Sequence, residues 1–303
     1  MALLLCSTPE RGAVWARVFA AAGEPLVVGE AAVADPAAIT HIACWYPPQD
    51  LSVYSSLKTV ISVGAGVDHL PALPEGIALS RTIAPSIEHM VRDWVVMATL
   101  MAHRDMPTYI AQAREGLWKA RDVVASGSRT VGILGLGRIG RLTAASLRSL
   151  GFHVRGWSRS GVPIEGIDVF AASDLDDFLA GTDILICLLP LTRSTRGILG
   201  GELFAKLPRG ARLVHAGRGG HLDLAALTCA LNEGRLASAI LDVTDPEPLP
   251  AEHPLWNDPR VFITPHVAAQ TDAHEGALHA LAVIRATREG LPIPGLVDRE
   301  YGY

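Results

Sequence analysis

Short apolar segments alternate with longer segments of helical periodicity along most of the chain. The apolar segments are bounded by Gly, Pro or Asp, which is typical of buried strands in parallel sheets. We predict strands at residues 3–6, 59–63, 130–134, 153–157, 183–188, 212–215, 238–242 and 261–263. Helices are predicted between them, for example at 138–150 and 222–232. This alternation predicts an α/β fold with parallel sheets and helices on both faces.

One long helical pattern, residues 86–118, interrupts the alternation and contains a predicted break at Pro107. Such a stretch could connect two α/β units, so we predict a domain change near Met97. A last helix at about 272–288 follows the final strand and is expected to pack on the first unit. The predicted domains are therefore 1–97 plus 270–303, and 98–269.

Composition narrows the class of protein. The chain has 303 residues, 49% hydrophobic and 19% charged, which allows a sizeable core and excludes a disordered chain. A net charge of −5 without a basic stripe argues against nucleic acid as a partner. The apolar N-terminus is short and ends at Pro9, so we predict a strand rather than a signal peptide. Arg92–Asp93 and Arg104–Asp105 interrupt the most apolar helix, so no membrane span is expected.

The cysteines contain no Cys-x-x-Cys pair and fall mostly in apolar runs; they are Cys6, Cys44, Cys187 and Cys229. We expect buried free thiols in a reducing cytoplasm. The sequence has no cluster of ligands with zinc spacing, so no metal is expected.

A glycine-rich turn follows the strand 130–134 and opens the next helix. Its sequence is Gly135-Leu-Gly137-Arg-Ile-Gly140. In this strand–turn–helix setting the pattern predicts dinucleotide binding: the first glycine makes the tight turn, the second lets a pyrophosphate approach, and the third lets the helix pack closely. Free N–H groups at the helix N-terminus would face the phosphates.

The end of the next strand predicts which dinucleotide binds. A chain that selects NAD usually places an acid there, on the ribose 2′-OH. This chain has Ser158 and Arg159 instead. Arg159 could pair with a 2′-phosphate and Ser158 could donate a hydrogen bond to it, so NADP is predicted over NAD.

Three further strand ends carry polar residues suited to keto-acid reduction: Arg218, Glu247 and His266. An arginine fork matches a substrate carboxylate, and a histidine titrates near neutrality and can donate a proton. A carboxylate beside the histidine would raise its pKa and fix its tautomer. Because ligands bind beyond the carboxyl ends of strands in open α/β sheets, we predict that these groups converge.

These motifs resemble the D-isomer-specific 2-hydroxyacid dehydrogenase family. Residues 213–223, 241–250 and 263–269 match its patterns around a catalytic Arg, Glu and His. Further matches are residues 44–48, 63–68, 188–197 and the tail 297–303. The resemblance implies two doubly wound domains, Rossmann-like and flavodoxin-like, with an active-site cleft between them. The first predicted domain would bind substrate and the second the dinucleotide.

The resemblance also implies roles for individual residues. Arg218 would bind the substrate carboxylate and carbonyl, and His266, paired with Glu247, would be the general acid. Trp45 and a backbone nest at Gly64, Ala65 and Gly66 would line the substrate site. Asp242 would hold the nicotinamide carboxamide, and Thr195 would lie near the phosphates. The implied cofactor contacts are Gly135, Leu136, Gly137, Arg138, Ile139, Gly140, Ser158, Arg159, Leu189, Pro190, Thr195, Ala216, Gly217, Arg218, Asp242, His266 and Ala268.

The resemblance also implies the reaction, which is NADPH-dependent reduction of glyoxylate and hydroxypyruvate. It implies a homodimer as well, in which residues 97–118 help to form the contact between subunits.

The chain departs from the family pattern at two positions. His215 replaces an Asn common in the family, which bears on cofactor positioning. Ser158 replaces a common acid, although the glyoxylate/hydroxypyruvate reductase group shares the Ser-Arg pair.

Alternatives remain at this stage. A cofactor-sensing binding protein could share the fold, because fold alone does not establish catalysis. Another reaction of the family, on a different substrate, would keep the same motifs. A short-chain dehydrogenase is disfavoured because its Tyr-x-x-x-Lys pattern, at Tyr54 to Lys58, precedes the glycine turn.

Overall fold

The structure, a computed structural model, describes residues 2–298, so most of the matching tail at 297–303 lies outside the described residues. It divides into two compact units. The first contains the residues up to Ile87 and those from Gln270 onward, and the second is Glu88–Ala269.

The first unit is built on a five-stranded sheet, ordered β2-β1-β3-β4-β5, in which every pairing is parallel. This order is the flavodoxin-like one. The strands are β1 Ala2–Cys6, β2 Leu26–Val28, β3 Ile39–Cys44, β4 Thr59–Ser62 and β5 Ala78–Arg81. Two long helices accompany them, α1 Pro9–Ala22 and α8 Ala273–Glu289.

Helices α1 and α8 cover one face of this sheet, as expected for the last helix. Trp15 and Phe19 of α1 pack with Val283 of α8 against Leu5 and Ile61 of the sheet. The two rings stack with centroids 5.7 Å apart. Fully burying side chains of this size stabilises the fold by roughly 1.5–3 kcal/mol each, so this layer carries much of the unit's stability.

The second unit has a seven-stranded parallel sheet, ordered β12-β11-β10-β9-β6-β7-β8. Its strands are β6 Thr130–Leu134, β7 His153–Trp157, β8 Asp168–Phe170, β9 Ile184–Cys187, β10 Ala211–His215, β11 Leu236–Leu241 and β12 Val261–Ile263. Its helices are α2 Pro85–His103, whose first turn belongs to the first unit, α3 Met106–Arg114, α4 Arg138–Ser149, α5 Leu175–Ala180, α6 Gly201–Lys206 and α7 Leu224–Asn232.

Separate apolar clusters lie on the two faces of this sheet. Phe178 and Phe204 are buried in one, and Trp94 and Val95 of α2 in the other. Chain order reverses beside β6, whose neighbours are β9 and β7. This is the switch point at which doubly wound sheets bind ligands, so the α/β prediction is confirmed with two parallel sheets.

The connecting helices differ from the prediction. Met97 lies inside the continuous helix α2, and the compact units change at Ile87 and Glu88. Pro107 does not break a helix; it lies in the first turn of α3, where its missing N–H costs no hydrogen bond. The break is at Asp105, whose φ of 53° is left-handed. Asp105 binds Arg212 at 2.8 Å, which anchors this bend to β10.

The prediction for the cysteines is only partly correct. All four are free, and Cys44 and Cys187 are buried, but Cys6 is intermediate and Cys229 is exposed. Burial raises the pKa of Cys44 and of Cys187 to about 12. In the described part of the chain, no helix combines the length and apolar character needed to cross a membrane.

Candidate active site

The predicted catalytic residues follow three adjacent strands of the second unit. Arg218 comes after β10, Glu247 after β11 and His266 after β12, and these strands are hydrogen-bonded neighbours. Because parallel strands end at the same edge of a sheet, the three residues converge. Arg218 lies within electrostatic reach of both other residues: its charge is a minor cause that favours the neutral ring of His266 and the ionised carboxylate of Glu247.

His266 and Glu247 form a hydrogen-bonded ion pair. The His266 Nδ1 atom lies 2.9 Å from Glu247 Oε2, and both side chains are about two-fifths exposed, at 41% and 40%. The hydrogen bond to Glu247 raises the pKa of His266 above its usual 6.5, in spite of partial burial and the charge of Arg218. With Nδ1–H donated to the carboxylate, Nε2 is the ring nitrogen that can serve a substrate.

Glu247 is held by its own loop. Burial opposes its ionisation, but hydrogen bonds from His266 and from the Thr244 N–H lower its pKa below the usual value. Thr244 Oγ1 also donates to Pro246 O at 2.9 Å. A Cβ at Gly219 would collide with the Thr244 carbonyl, so the Arg218 loop and the Glu247 loop meet backbone to backbone.

Asp242 organises the turn that carries His266. Its carboxylate is 2% exposed and accepts hydrogen bonds from Thr264 Oγ1 at 2.6 Å, Val267 N at 2.9 Å and Ala268 N at 2.8 Å. Its carbonyl accepts from the His266 N–H at 2.8 Å. These contacts hold His266 at a φ of 53°, a left-handed conformation that is uncommon for a residue with a side chain.

The glycine turn has the packing expected of a dinucleotide site. A Cβ at Gly140 would collide with the Gly135 carbonyl, so α4 starts close to the turn. Gly135 has a φ of 104° and lies against the Leu188 backbone. At Gly137, a Cβ would meet no described protein atom within 4 Å. Protein packing therefore does not require this glycine, whereas a phosphate approaching the backbone would, and the turn fits a pyrophosphate.

Ser158 and Arg159 follow β7, at the ribose end of such a site. Ser158 Oγ accepts from the Gly161 N–H at 3.2 Å, and the Arg159 side chain lies at an exposed position. Both residues fit a 2′-phosphate, since they offer a hydroxyl and a guanidinium without an acid at the strand end.

The loop after β9 is closed by Thr195. Its hydroxyl donates to Pro190 O at 2.7 Å and accepts from Thr192 N at 2.8 Å, so it stabilises the loop internally. Leu189 is nearly buried beside it. The predicted contact of Thr195 with the phosphates stays a prediction.

The predicted substrate residues of the first unit lie after β3 and β4. The Trp45 ring occupies the space where a Cβ at Gly64 would be, at 2.7 Å, which explains the glycine. The ring stacks on His69 with centroids 3.7 Å apart. Neither Gly64 nor Gly66 has a positive φ. Ser62 Oγ bridges the turn, accepting from Gly64 N and donating to Gly66 O. The predicted binding of a substrate carboxylate by the N–H groups of this turn stays a prediction.

Sequence analysis missed one buried polar cluster. The potential ligand atoms of Cys187, His215 and His221 lie within 4.8 Å of one another, although these residues are not clustered in sequence. No local sequence pattern marks His221, or Thr264 beneath Asp242, as part of a site. Only the tertiary contacts give each of them a role.

Comparisons with known proteins identify the family of this chain. Residues 96–268 match the family model "D-isomer specific 2-hydroxyacid dehydrogenase, NAD binding domain". The glyoxylate/hydroxypyruvate reductase A of Yersinia enterocolitica is 39% identical over 269 residues, 86% of each chain.

Two solved structures match nearly the whole chain. A D-isomer specific 2-hydroxyacid dehydrogenase from Xanthobacter autotrophicus Py2, in complex with NADPH and MES, has a TM-score of 0.93 at 36% identity, covering 100% of this chain and 99% of that one. An NADPH-dependent glyoxylate/hydroxypyruvate reductase from Sinorhizobium meliloti, with NADP and sulfate, has a TM-score of 0.91 at 37% identity, again covering 100% and 99%.

Proposed function

Since this chain belongs to the D-isomer specific 2-hydroxyacid dehydrogenase family, we propose that it reduces glyoxylate and hydroxypyruvate to their 2-hydroxy acids with NADPH. The observation that carries the proposal is the convergence of Arg218, Glu247 and His266 at the ends of three adjacent strands. A cation, an acid and a carboxylate that sets the acid's pKa are the groups this reduction requires.

In this mechanism NADPH, when bound, supplies the hydride that reduces the keto carbon. His266 delivers the matching proton from Nε2 to the keto oxygen. Its Nδ1 keeps its own proton and stays hydrogen-bonded to Glu247. Glu247 holds the imidazole in one tautomer and stabilises its protonated form. Arg218 binds the substrate carboxylate and polarises the carbonyl, and the fork geometry of its guanidinium suits both tasks.

We assign Trp45 and the turn 64–66 to substrate binding. The exposed indole, stacked on His69, offers a rigid apolar wall, and the Ala65 and Gly66 N–H groups make no hydrogen bond within the described residues. Trp45→Ala is expected to raise KM for hydroxypyruvate with a smaller change in kcat.

Cofactor preference tests the function and the ribose site together. We expect kcat/KM with NADPH to exceed that with NADH by at least about tenfold, since one charge-assisted hydrogen bond contributes roughly 1.5–3 kcal/mol. Arg159→Leu should remove most of this preference while leaving the NADH reaction within about twofold. A panel of small 2-keto acids assayed with both cofactors is the measurement. If no 2-keto acid of the panel were turned over with either cofactor, a cofactor-sensing role would be favoured.

We also propose a homodimer that uses α2, α3 and the segment after them. An open depression of about 850 Å³ lies there, lined by apolar residues such as Met97, Leu100 and Met101. Met97 is 42% exposed and Trp118 is fully exposed. Exposed large apolar side chains of this kind are often found at subunit contacts. Light scattering of Met97→Arg against the wild type tests this, with a monomeric variant expected.

A cytoplasmic location is proposed as well. Its support is that all four cysteines are free, including the exposed Cys229, as is usual in a reducing compartment. Fractionation of the native host, with immunodetection of the chain, would test it.

A further inference from the structure

Two fully buried histidines flank the backbone of Arg218. His215 is the last residue of β10, and His221 ends the short 3-10 turn that follows Arg218. Both are 0% exposed. Their rings meet edge to face with centroids 5.7 Å apart. Neither residue belongs to the catalytic set, and two buried imidazoles around one functional residue require a reason.

His215 contacts the carbonyl of Arg218. Its Nε2 lies 2.9 Å from Arg218 O, and because a carbonyl only accepts, Nε2 must carry the proton. The other ring nitrogen, Nδ1, is buried and makes no hydrogen bond of good geometry among the described residues, although the nearby Cys187 backbone acts to raise the pKa of the ring. Burial, followed by the nearby His221, lowers the pKa of His215 to about 3. His215 is therefore a neutral donor with a fixed tautomer at physiological pH.

His221 contacts the amide of Arg218. His221 Nδ1 lies 3.0 Å from both the Arg218 N–H and the Arg218 carbonyl oxygen. That oxygen has two lone pairs, which the His221 N–H and the His215 Nε2–H already occupy at 2.9 Å each, so we assign Nδ1 as the unprotonated acceptor of the Arg218 N–H. The proton is then on Nε2, which lies 3.2 Å from Pro190 O. That carbonyl also accepts from Thr195 Oγ1, so His221 connects the Arg218 backbone to the loop after β9. One tautomer satisfies both contacts.

Gly217, which lies between His215 and Arg218 in sequence, shows how tightly the two rings pack. A Cβ at Gly217 would lie 3.0 Å from His221 Nδ1 and 3.3 Å from His215 Cε1. A side chain there would push the two imidazoles aside. Glycine is thus the residue that lets both rings reach the peptide groups on either side of Arg218.

We propose that His215 and His221 are positioning residues that clamp the backbone of Arg218, one donating to its carbonyl and the other accepting from its amide. The clamp aims the guanidinium at the substrate carboxylate and couples it to the Pro190 loop. This inference rests on the proposed role of Arg218 in reduction. It also gives a reason for His215, which stands where many members of the family carry Asn.

Substitutions at His215 separate hydrogen bonding from packing. His215→Leu removes the donor, whereas His215→Gln keeps an N–H at the ε position. We expect the leucine variant to raise KM for glyoxylate at least about tenfold with an unchanged Kd for NADPH, and the glutamine variant to stay within about threefold of wild type. His41→Leu is the matched control, because His41 is also buried, has an unpartnered ring nitrogen and lies in the other unit. It should leave KM unchanged.

Substitutions at His221 separate its two contacts. Asparagine keeps an acceptor at the δ position and loses the contact with Pro190, whereas glutamine keeps a donor at the ε position and loses the contact with the Arg218 N–H. If the clamp is correct, His221→Gln raises KM for glyoxylate more than His221→Asn does. Equal effects, or the reverse order, would contradict it.

The tautomers give a readout that does not depend on turnover. Nitrogen-15 imidazole spectra of the full chain should show His215 and His221 as Nε2–H tautomers, with His215 unchanged from pH 5 to pH 8. Titration of His215 in that range, or equal KM values for His215→Leu and His215→Gln, would overturn the clamp. So would stoichiometric zinc in the purified protein, bound by Cys187 and both histidines. A wild type that shows these tautomers but reduces no 2-keto acid would instead reject the proposed function.

Discussion

His266 and His215 lie two strands apart at the same edge of one sheet, yet their surroundings shift their pKa values in opposite directions. The His266 side chain is 41% exposed and hydrogen-bonded to Glu247, which raises its pKa. His215 is fully buried against a backbone carbonyl, and burial lowers its pKa to about 3. The first can exchange a proton with a substrate, and the second cannot.

Hydrogen-bond partner and solvent exposure, rather than residue type, therefore decide whether a histidine can carry a proton near neutral pH. A carboxylate stabilises the protonated ring, and partial exposure gives it access to substrate. Burial without a carboxylate penalises the charge and leaves a neutral ring with one donor and one acceptor. One edge of the sheet therefore holds a histidine that is protonated more readily than usual and another that stays neutral.

The largest expected effect comes from removing the titrating histidine. His266→Ala should lower kcat for glyoxylate reduction by about a hundredfold or more, because general acid catalysis typically contributes that much. Binding of NADPH, measured by fluorescence, serves as the control and should change little. A near-normal kcat would mean that the proton comes from another group, and the contrast between the two histidines would lose its functional meaning.

A smaller effect is expected when the carboxylate partner is neutralised. Reduction needs protonated His266, so kcat/KM should be highest at low pH and fall as pH rises through a pKa above 6.5. Glu247→Gln removes the main cause of the raised pKa, so the fall should begin at lower pH, with a loss of about tenfold at pH 7.5. The measurement is the pH profile of kcat/KM for both proteins.

That profile also tests the neutral histidine. If His215 stays uncharged as proposed, it adds no second ionisation between pH 5 and pH 8. An unchanged midpoint in Glu247→Gln would show that the carboxylate does not set the pKa of His266. A second inflection in the wild-type pH profile of kcat/KM that is lost in His215→Gln would show that the buried ring titrates.

The smallest expected effect concerns the support beneath His266. Thr264→Val removes one of the hydrogen-bond donors to the Asp242 carboxylate and keeps the shape of the side chain. A hydrogen bond to a charged group typically contributes about 1.5–3 kcal/mol to the free energy of unfolding. We expect Tm to fall by a few degrees and kcat to change less than about threefold, because the Val267 and Ala268 amides still hold the carboxylate. Calorimetry with parallel assays provides the measurement. A large loss of kcat would mean that the turn depends on Thr264.

The amino-acid sequence was enough to predict the class of fold and to select the residues that we propose for catalysis. Short apolar runs identify the buried strands because burial on both faces of a parallel sheet requires continuous apolar residues. The glycine turn could be identified because each glycine has its own reason: a positive φ at Gly135, room for a phosphate at Gly137 and close helix packing at Gly140. Arg218, Glu247 and His266 could be selected because each follows a strand, and strand ends meet at one edge.

The tertiary structure alone decided how those residues are held. Pro107 starts a helix because Asp105 makes the bend and binds Arg212, a residue far away in sequence. Gly64 has no room for a side chain because the neighbouring strand β3 brings the Trp45 ring over the turn. His215 and His221 became neighbours only when β10 and its loop folded back on themselves. Burial and hydrogen-bond partners come from such long-range contacts, and they set the pKa values that no local pattern contains.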